Sequence, residues 1–425
     1  MNERNEVRTM YAETVPYLLH WYEFNRRILP WREDPTPYHV WVSEIMLQQT
    51  RVEAVKGYYD RFLTCLPDVR ALAEAKEDEL LKLWEGLGYY NRVRNMQKAA
   101  KVLVEQYGGE MPADYESIRA LPGIGDYTAG AIASIAFGLP YPAVDGNVLR
   151  VMSRITGSEE DIAKESTKKK MKEDLTAIMP EQSGDFNQSL MELGATVCLP
   201  NGKPLCEQCP VMHLCKAFHT GRETELPVKS GKKERRIEKR IVYLVYCGEK
   251  VLLHRRPDKG LLAGLWEFPN VLAEQTWSVE GSGRRSAAER IAAYAAEALQ
   301  VSEKESSGAG EKEKMPSIRK GKKAKHIFSH VEWHMEGIRI EAEQTEDMQE
   351  CLAALAGRLT GGPEKRTSEA GQERSADGEN GVDYRENPDA NWVFVTPEEL
   401  RETYPVPSAF DVYVKEVLNE NRNRI

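Results

Sequence analysis

The sequence predicts a two-domain protein, with an all-α domain over residues 1–225, a basic linker at 226–240 and an α+β domain over 241–425. Three observations predict this. Before residue 240 the apolar residues recur at helical spacing and no convincing strand run occurs. After it, Ile241-Val-Tyr-Leu-Val-Tyr and Lys250-Val-Leu-Leu-His-Arg-Arg are β-type runs split by a Cys-Gly-Glu turn, which predicts a hairpin. A chain of 425 residues is also long enough to bury two separate cores.

Composition excludes the extremes. Charged residues make up 29% and hydrophobic residues 41%, the balance of an ordinary soluble globular protein. No apolar run reaches spanning length, and the first residues are charged with no apolar signal core, so a cytoplasmic protein without a membrane role is expected. The net charge of −9 does not exclude nucleic acid. Residues 1–240 carry 33 Lys and Arg against 35 Asp and Glu, and residues 241–425 carry 25 against 32, so most of the excess lies in the second part. Bulk charge says nothing about local patches.

In chain order, residues 6–30 read as a first helix with Trp21, Phe24 and Ile28 on one face, ending at Pro30. Leu29-Pro-Trp-Arg and Asp34-Pro-Thr-Pro form a rigid loop before an apolar helix over 38–49. Glu44 lies in the middle of that helix. A carboxylate there must be exposed, paired, or raised in pKa, and it suggests chemistry only if a second carboxylate faces it. Helices follow at 51–64, 76–84 and 91–107, with Gly86-Leu-Gly-Tyr-Tyr between the last two.

Residues 121–145 then read as a tight turn, a small-residue helix, a Pro-broken exit and a lone carboxylate, Asp145. Gly123 punctuates the turn, and Gly125 suits positive φ or close backbone approach. The helix starting near Asp126 points free N–H groups outward, a ready site for phosphate. Residues 160–178 read as a Lys-rich helix with a solvated face. In the second domain an Ala-rich helix is expected at 285–300 and strands at 326–342 and 391–396. Segments near 302–325 and 360–388 read as disordered insertions, since 360–381 hold no aromatic residue, no cysteine and no aliphatic residue larger than alanine or proline.

Cys65, Cys247 and Cys351 are scattered and read as reduced, buried thiols. Cys198, Cys206, Cys209 and Cys215 fall within one short Pro-rich loop. Four thiolates suit Zn²⁺ or an iron–sulfur cluster, and a single Cys-x2-Cys pair makes zinc the weaker reading.

That loop resembles the 4Fe–4S loop closing the catalytic domain of the endonuclease III-like, helix-hairpin-helix DNA glycosylases. It has seven residues between Cys198 and Cys206 where the family usually has six, the extra one in Pro-Asn-Gly-Lys-Pro. Leu121-Pro-Gly-Ile-Gly-Asp-Tyr resembles the family's hairpin, and Val144-Asp145 the carboxylate that follows it. Bifunctional members, which also nick the backbone, carry lysine at the place of Tyr127. A lysine amine forms a Schiff base with the sugar and tyrosine cannot. Together with Trp41-Val-Ser-Glu-Ile-Met-Leu-Gln-Gln-Thr, the resemblance narrows to adenine DNA glycosylases of the MutY type and covers nearly the whole chain.

The resemblance implies a monomeric, monofunctional enzyme that removes adenine mispaired with 8-oxoguanine (or guanine) from double-stranded DNA and leaves an abasic site. It implies one 4Fe–4S cluster per chain, held by Cys198, Cys206, Cys209 and Cys215. Glu44 would be the general acid at adenine N7, Asp145 an ionised carboxylate at C1′, and Tyr127 a positioning group. Trp31, Arg32, Gln188 and Glu192 would form the pocket for the flipped base, the last two being i and i+4 on one helix face. Gln49, Thr50, Leu87 and Tyr89 would enter or contact the duplex, and Gly123 and Gly125 would meet phosphates. Gly260-Leu-Leu-Ala-Gly-Leu-Trp-Glu-Phe-Pro is similar to the MutT-like (Nudix) domain fused to such enzymes. Phe328, Ser329 and His330 would recognise the oxidised guanine. The Nudix metal helix bears Arg-Glu-x-x-Glu-Glu, whereas here Ser286-Ala-Ala-Glu-Arg-Ile-Ala-Ala-Tyr-Ala-Ala-Glu lacks that array, so no nucleotide hydrolysis is expected.

The rival readings are a bifunctional glycosylase/lyase on oxidised pyrimidines, which Tyr127 opposes, and a thymine-mismatch glycosylase, which has no use for the second domain. A non-catalytic iron–sulfur DNA-binding protein makes Glu44 and Asp145 a coincidence. A Nudix phosphohydrolase lacks its metal helix.

Overall fold

Helices carry the first part of the chain because its apolar residues repeat at helical spacing; β-structure begins only at Arg236. A computed structural model describes residues 3–231, 234–273, 317–342 and 392–422. The chain divides into two compact units, residues 1–77 with 89–232 and residues 78–88 with 233–425. The expected helix at 285–300, the segment 360–388, Ser286 and its helix, and Cys351 lie outside the described residues.

The helices in order are α1 (Glu3–Asn25), α2 (Pro30–Glu33), α3 (Pro37–Leu47), α4 (Val52–Cys65), α5 (Val69–Glu74), α6 (Glu77–Leu83), α7 (Asn91–Tyr107), α8 (Tyr115–Arg119), α9 (Asp126–Phe137), α10 (Gly146–Thr156), α11 (Glu165–Thr176), α12 (Ser183–Thr196) and α13 (Lys216–His219). α1 stops short of Pro30, and its buried stripe is Tyr11, Thr14, Leu18 and Tyr22. Phe24 and Ile28 are exposed, which corrects the expected face. Pro30 opens α2, where its fixed φ and missing N–H suit the first helical position, so part of the expected rigid loop is a helical turn. Cys65 is exposed rather than buried. α11 is not merely a solvated face, because it buries Met171 and Leu175 and pairs buried Asp174 with Arg4 at 2.7 Å and Arg8 at 2.8 Å.

α3 positions the first carboxylate. Thr36 caps it by accepting from the His39 N–H, Pro37 starts it, and every residue from Val40 to Met46 is buried. It packs on α9, and the chain leaving α9 folds back tightly on that helix, since a Cβ on Gly130 would lie 2.3 Å from the Pro142 carbonyl oxygen.

α8 and α9 form the hairpin. Gly123 takes the left-handed conformation at φ +78°, and Gly125 is the extended N-cap of α9 at φ −95°. Positive φ therefore falls on Gly123 and not on Gly125. A Cβ on Gly123 would also meet the Asn95 Cβ at 2.5 Å. Gly123→Ala is expected to cost about 1–3 kcal/mol in urea denaturation, from strain and overlap together. An unchanged midpoint and slope would contradict this.

The expected linker at 226–240 is corrected at both ends. Leu226 is buried in the first unit, its carbonyl accepts from Arg154 Nε at 2.8 Å, and the Val228 carbonyl accepts from the Ile162 N–H at 3.0 Å. Arg236 to Arg240 already belong to a strand. Their polar side chains concealed it, because backbone pairing to a neighbour needs no apolar residue.

The second unit holds a mixed sheet of β1 (Arg236–Cys247), β2 (Lys250–Arg255), β3 (Trp266–Glu267), β4 (Asn270–Leu272), β5 (Ser317–Ile327), β6 (Val331–Ala342) and β7 (Trp392–Val395). The order is β3-β2-β1-β6-β5, with β4 on β1 and β7 on β2. β1 and β6 run parallel, and the other pairs are antiparallel. Alternate β1 residues face two apolar layers: Val242, Leu244 and Tyr246 on one side, Ile241, Tyr243 and Val245 on the other. Phe410 and the helices α14 (Pro397–Glu402) and α15 (Asp411–Arg422) close the first layer with Leu400, Tyr413 and Val417.

Two expectations fail here. The segment near 302–325 is not wholly an insertion, since Ser317–Ile327 is the β5 edge strand. Its lysines mimic disorder in composition yet suit an edge, where charge blocks unwanted pairing. The strand expected over 326–342 is broken by a turn at Phe328-Ser329-His330, which joins β5 to β6.

Candidate active site

α3, α9 and α10 bring Glu44, Tyr127 and Asp145 into electrostatic contact. Glu44 is 6% exposed, and the Tyr127 hydroxyl donates to its Oε2. Burial pushes the Glu44 carboxyl up to about 7; Tyr127's hydrogen bond and Arg32 oppose the rise, and the charge of Asp145 adds to it. Burial likewise pushes the Tyr127 hydroxyl well above its ordinary value, with both carboxylates contributing. It stays a neutral donor.

Asp145 is the N-cap of α10. Its Oδ1 accepts from the Val148 N–H at 2.8 Å and its Oδ2 from Asn147 Nδ2 at 2.7 Å. Burial raises its carboxyl above the usual range, against these N–H donors and Arg150. The net direction is upward, where the expectation of a simply ionised group would have it held down. Both oxygens nonetheless accept from N–H donors, the role of a carboxylate at a positive helix end.

Residues that sequence reading missed tie this group to the cysteine loop. Asn147 Oδ1 accepts from Arg150 Nη2 at 2.9 Å, and Arg150 Nε donates to the Cys198 carbonyl at 2.9 Å. One turn further, Arg154 Nη1 donates to Cys198 Sγ at 3.2 Å and to the Leu199 carbonyl at 2.9 Å. The available signal was two arginines at i and i+4 on a helix otherwise buried against the core.

Cys198, Cys206, Cys209 and Cys215 line one cavity together with Val151 and Arg154. Among the described residues no three His, Cys, Asp or Glu side chains converge on a single ion. Burial pushes the Cys209 thiol up to about 12 and raises Cys206 and Cys215 as well, so thiolates at these three positions call for a neighbouring positive charge.

The expected base pocket assembles in part. Gln188 and Glu192 do share a face of α12, and Arg32 bridges them, from Nε to Gln188 Oε1 at 3.1 Å and from Nη2 to Glu192 Oε2 at 2.8 Å. Arg27, missed in the sequence, holds the other Glu192 oxygen at 2.6 Å. Burial would raise Glu192, but the two arginines outweigh it and hold the carboxyl below its usual range. Trp31 packs edge-on against Tyr59 at 5.4 Å.

Gln49 and Tyr89 both take positive φ, 58° and 49°, and both are exposed. Arg92 Nη1 gathers the Ile45 and Gln48 carbonyls, each at 2.7 Å, and so fixes the end of α3 before Gln49. Thr50 is half-buried, its N–H donating to the Leu47 carbonyl at 3.2 Å. Leu87 belongs to the second unit and is buried. At the hairpin, the position of a Gly125 Cβ is open, and Asp126 beside it pairs with Arg119 and with Lys172 at 2.9 Å.

In the second unit Ser329 and His330 are exposed at the β5–β6 turn, with Ser329 Oγ 3.2 Å from His330 Nδ1. Phe328 closes the turn by donating its N–H to the Val331 carbonyl at 2.8 Å.

Residues 42–177, which include Glu44, Tyr127 and Asp145, match the HhH-GPD superfamily base excision DNA repair protein family, and residues 241–416 match the NUDIX domain. Fold and site thus define a helix-hairpin-helix base-excision repair protein carrying a Nudix-like domain. Adenine DNA glycosylases of Mus musculus and Homo sapiens are 40% and 38% identical over 60% and 64% of this chain. The chain spans about three-fifths of the length of these two, 60% and 59%. The adenine DNA glycosylase of Buchnera aphidicola subsp. Schizaphis graminum is 34% identical over 60% of this chain and 73% of its own length. The chain belongs to the adenine DNA glycosylase family.

Proposed function

We propose that this chain hydrolyses the N-glycosidic bond of adenine mispaired with 8-oxoguanine (or guanine) in duplex DNA, releasing adenine and leaving an abasic site. One observation carries the reading: a buried carboxyl raised to about 7, bonded to Tyr127, in the field of a second carboxylate at a helix N-cap.

Breaking the bond needs a proton on the leaving base and negative charge near an oxocarbenium-like sugar. Glu44 holds its proton near neutrality and delivers it to adenine N7. Asp145 stabilises the positive C1′, and the water that adds there yields the abasic sugar. Tyr127 orients the Glu44 carboxyl and offers no amine, so no Schiff base forms and no strand break follows. Arg32, Gln188 and Glu192 supply donors and acceptors for the flipped base. The α9 N-terminus at Gly125 meets a phosphate, and affinity falls as salt rises. Ser329 and His330 read the oxidised guanine.

Cys198, Cys206, Cys209 and Cys215 fit one 4Fe–4S cluster per chain: four thiols border a shared cavity. The cluster, when bound, would tie the loop closed through its thiolate bonds.

The test is to incubate the protein with duplexes holding A:8-oxoguanine, A:G or an oxidised pyrimidine, and to split abasic sites with alkali. Cleavage of the adenine strand only after alkali, fastest opposite 8-oxoguanine, is expected, with iron and acid-labile sulfide in equal amounts. Cleavage without alkali, or a borohydride-stable adduct, would establish the lyase reading instead, and zinc in place of iron would overturn the cluster.

A further inference from the structure

β1 alternates strictly between two apolar layers, and its even positions Val242, Leu244 and Tyr246 face the layer containing Trp333 and Phe410. By the same alternation Glu238 and Arg240 face that side too. An ion pair at such positions is commonly no more stabilising than aliphatic residues, so its presence asks for another reason.

Arg240 is held on three sides. Its Nε donates to Asn270 Oδ1 at 2.9 Å, its Nη1 to Glu238 Oε2 at 2.7 Å, and its guanidinium lies 4.4 Å from the centre of the Trp333 ring. Arg256, anchored to buried Glu267 at 2.6 Å, approaches the same ring at 6.0 Å. Trp333 is fully buried, and its Nε1 finds no hydrogen-bond partner among the described residues. Stacking and not hydrogen bonding therefore fixes the indole. Phe328 seats edge-on against it at 4.8 Å and 69°, and against His326 at 4.5 Å. Phe328 is the aromatic that starts the turn carrying exposed Ser329 and His330.

We propose that Arg240 is a positioning residue for base recognition: by clamping the Trp333 indole it fixes the seat of Phe328, and through it the Ser329–His330 tip. This rests on the reading of that tip as the contact to the oxidised guanine.

The full-length, cluster-containing protein is assayed as Arg240→Met, Arg240→Lys, Trp333→Phe and Ser329→Ala, measuring single-turnover excision and duplex affinity with A:8-oxoguanine and A:G. Arg240→Met keeps the aliphatic stem, and Glu238 retains Arg236 as its partner, so no charge is orphaned. The expected result is a fall of about tenfold in preference for 8-oxoguanine, read in affinity, with excision opposite guanine unchanged. Arg240→Lys is expected to recover part of it. Arg240→Met with an intact thermal transition and undiminished preference overturns the proposal. If that variant loses its transition, Trp333→Phe decides: lost preference supports the clamp and full preference overturns it. Ser329→Ala separates the two layers. Preference unchanged in that variant sinks the reading of the tip; preference lost there but kept in Arg240→Met sinks the clamp alone.

Discussion

Glu44→Gln is expected to lose adenine excision by roughly a hundred- to ten-thousand-fold, the range for removing a general acid, while becoming more stable than the wild type above pH 7. The two effects have one cause. Glu44 titrates near 7 in the folded protein against an ordinary value of 4.5. Below 4.5 the group is protonated in both states and costs nothing. Between 4.5 and 7 the unfolded chain releases its proton and the folded one does not, so stability falls as pH rises. Above 7 the full cost of a buried carboxylate remains, on the order of 3 kcal/mol. Glutamine keeps the shape and the acceptor for Tyr127 and never ionises. Thermal denaturation should therefore show nearly equal midpoints at pH 4 and a higher midpoint for the variant at pH 8. Wild-type excision should also decline as pH passes about 7, because the acid form is consumed. Near-wild-type single-turnover excision by the variant would end the assignment, and coincident stability curves at pH 8 would show that Glu44 is not raised.

Asp145→Asn is expected to lower excision by about a thousandfold, the scale of removing a charge aimed at the transition state, with much smaller effect on folding. Asparagine still caps a helix, so the bond from the Val148 N–H survives. The second oxygen fares worse. It accepts from Asn147, whose own oxygen accepts from Arg150, so an amide in place of Asp145 either faces a donor or turns Asn147 away from the arginine. Asp145→Ala loses the cap as well and should cost about 1 kcal/mol more in denaturation. Since Asp145 helps raise Glu44, residual activity in the asparagine variant should fail at lower pH than in the wild type. Denaturation curves and pH–rate profiles measure both. Normal excision by Asp145→Asn would remove it from the chemistry.

Much of the site was legible because its residues stand against their local pattern. Glu44 interrupts an apolar helix, Asp145 follows a Pro-broken exit, and Gln188 and Glu192 are spaced one helical turn apart. Arg27 was not legible: it lies 165 positions before Glu192 in the chain, and only the fold brings the two together. Arg150 and Arg154 went unread in the sequence, and only the fold makes them the link from Asp145 to the cysteine loop. Leu87 is buried by packing within the second unit, which its Gly-flanked local sequence does not reveal.

The strands show the same division. β2 was found because apolar residues revealed it, while the start of β1 and nearly all of β5 were hidden by Lys and Arg. Composition reports what a residue can bury, but a strand at a sheet edge needs only a neighbour's backbone. By itself the sequence determined the two-domain order, the class of each domain, the hairpin and the residue types of the chemistry, because periodicity and turn chemistry are local. Tertiary structure alone decided that Glu44 is buried against Tyr127 within reach of Asp145's charge. The pKa of a carboxyl depends on solvent exclusion and on charges brought from elsewhere in the chain, and neither is written at the position itself.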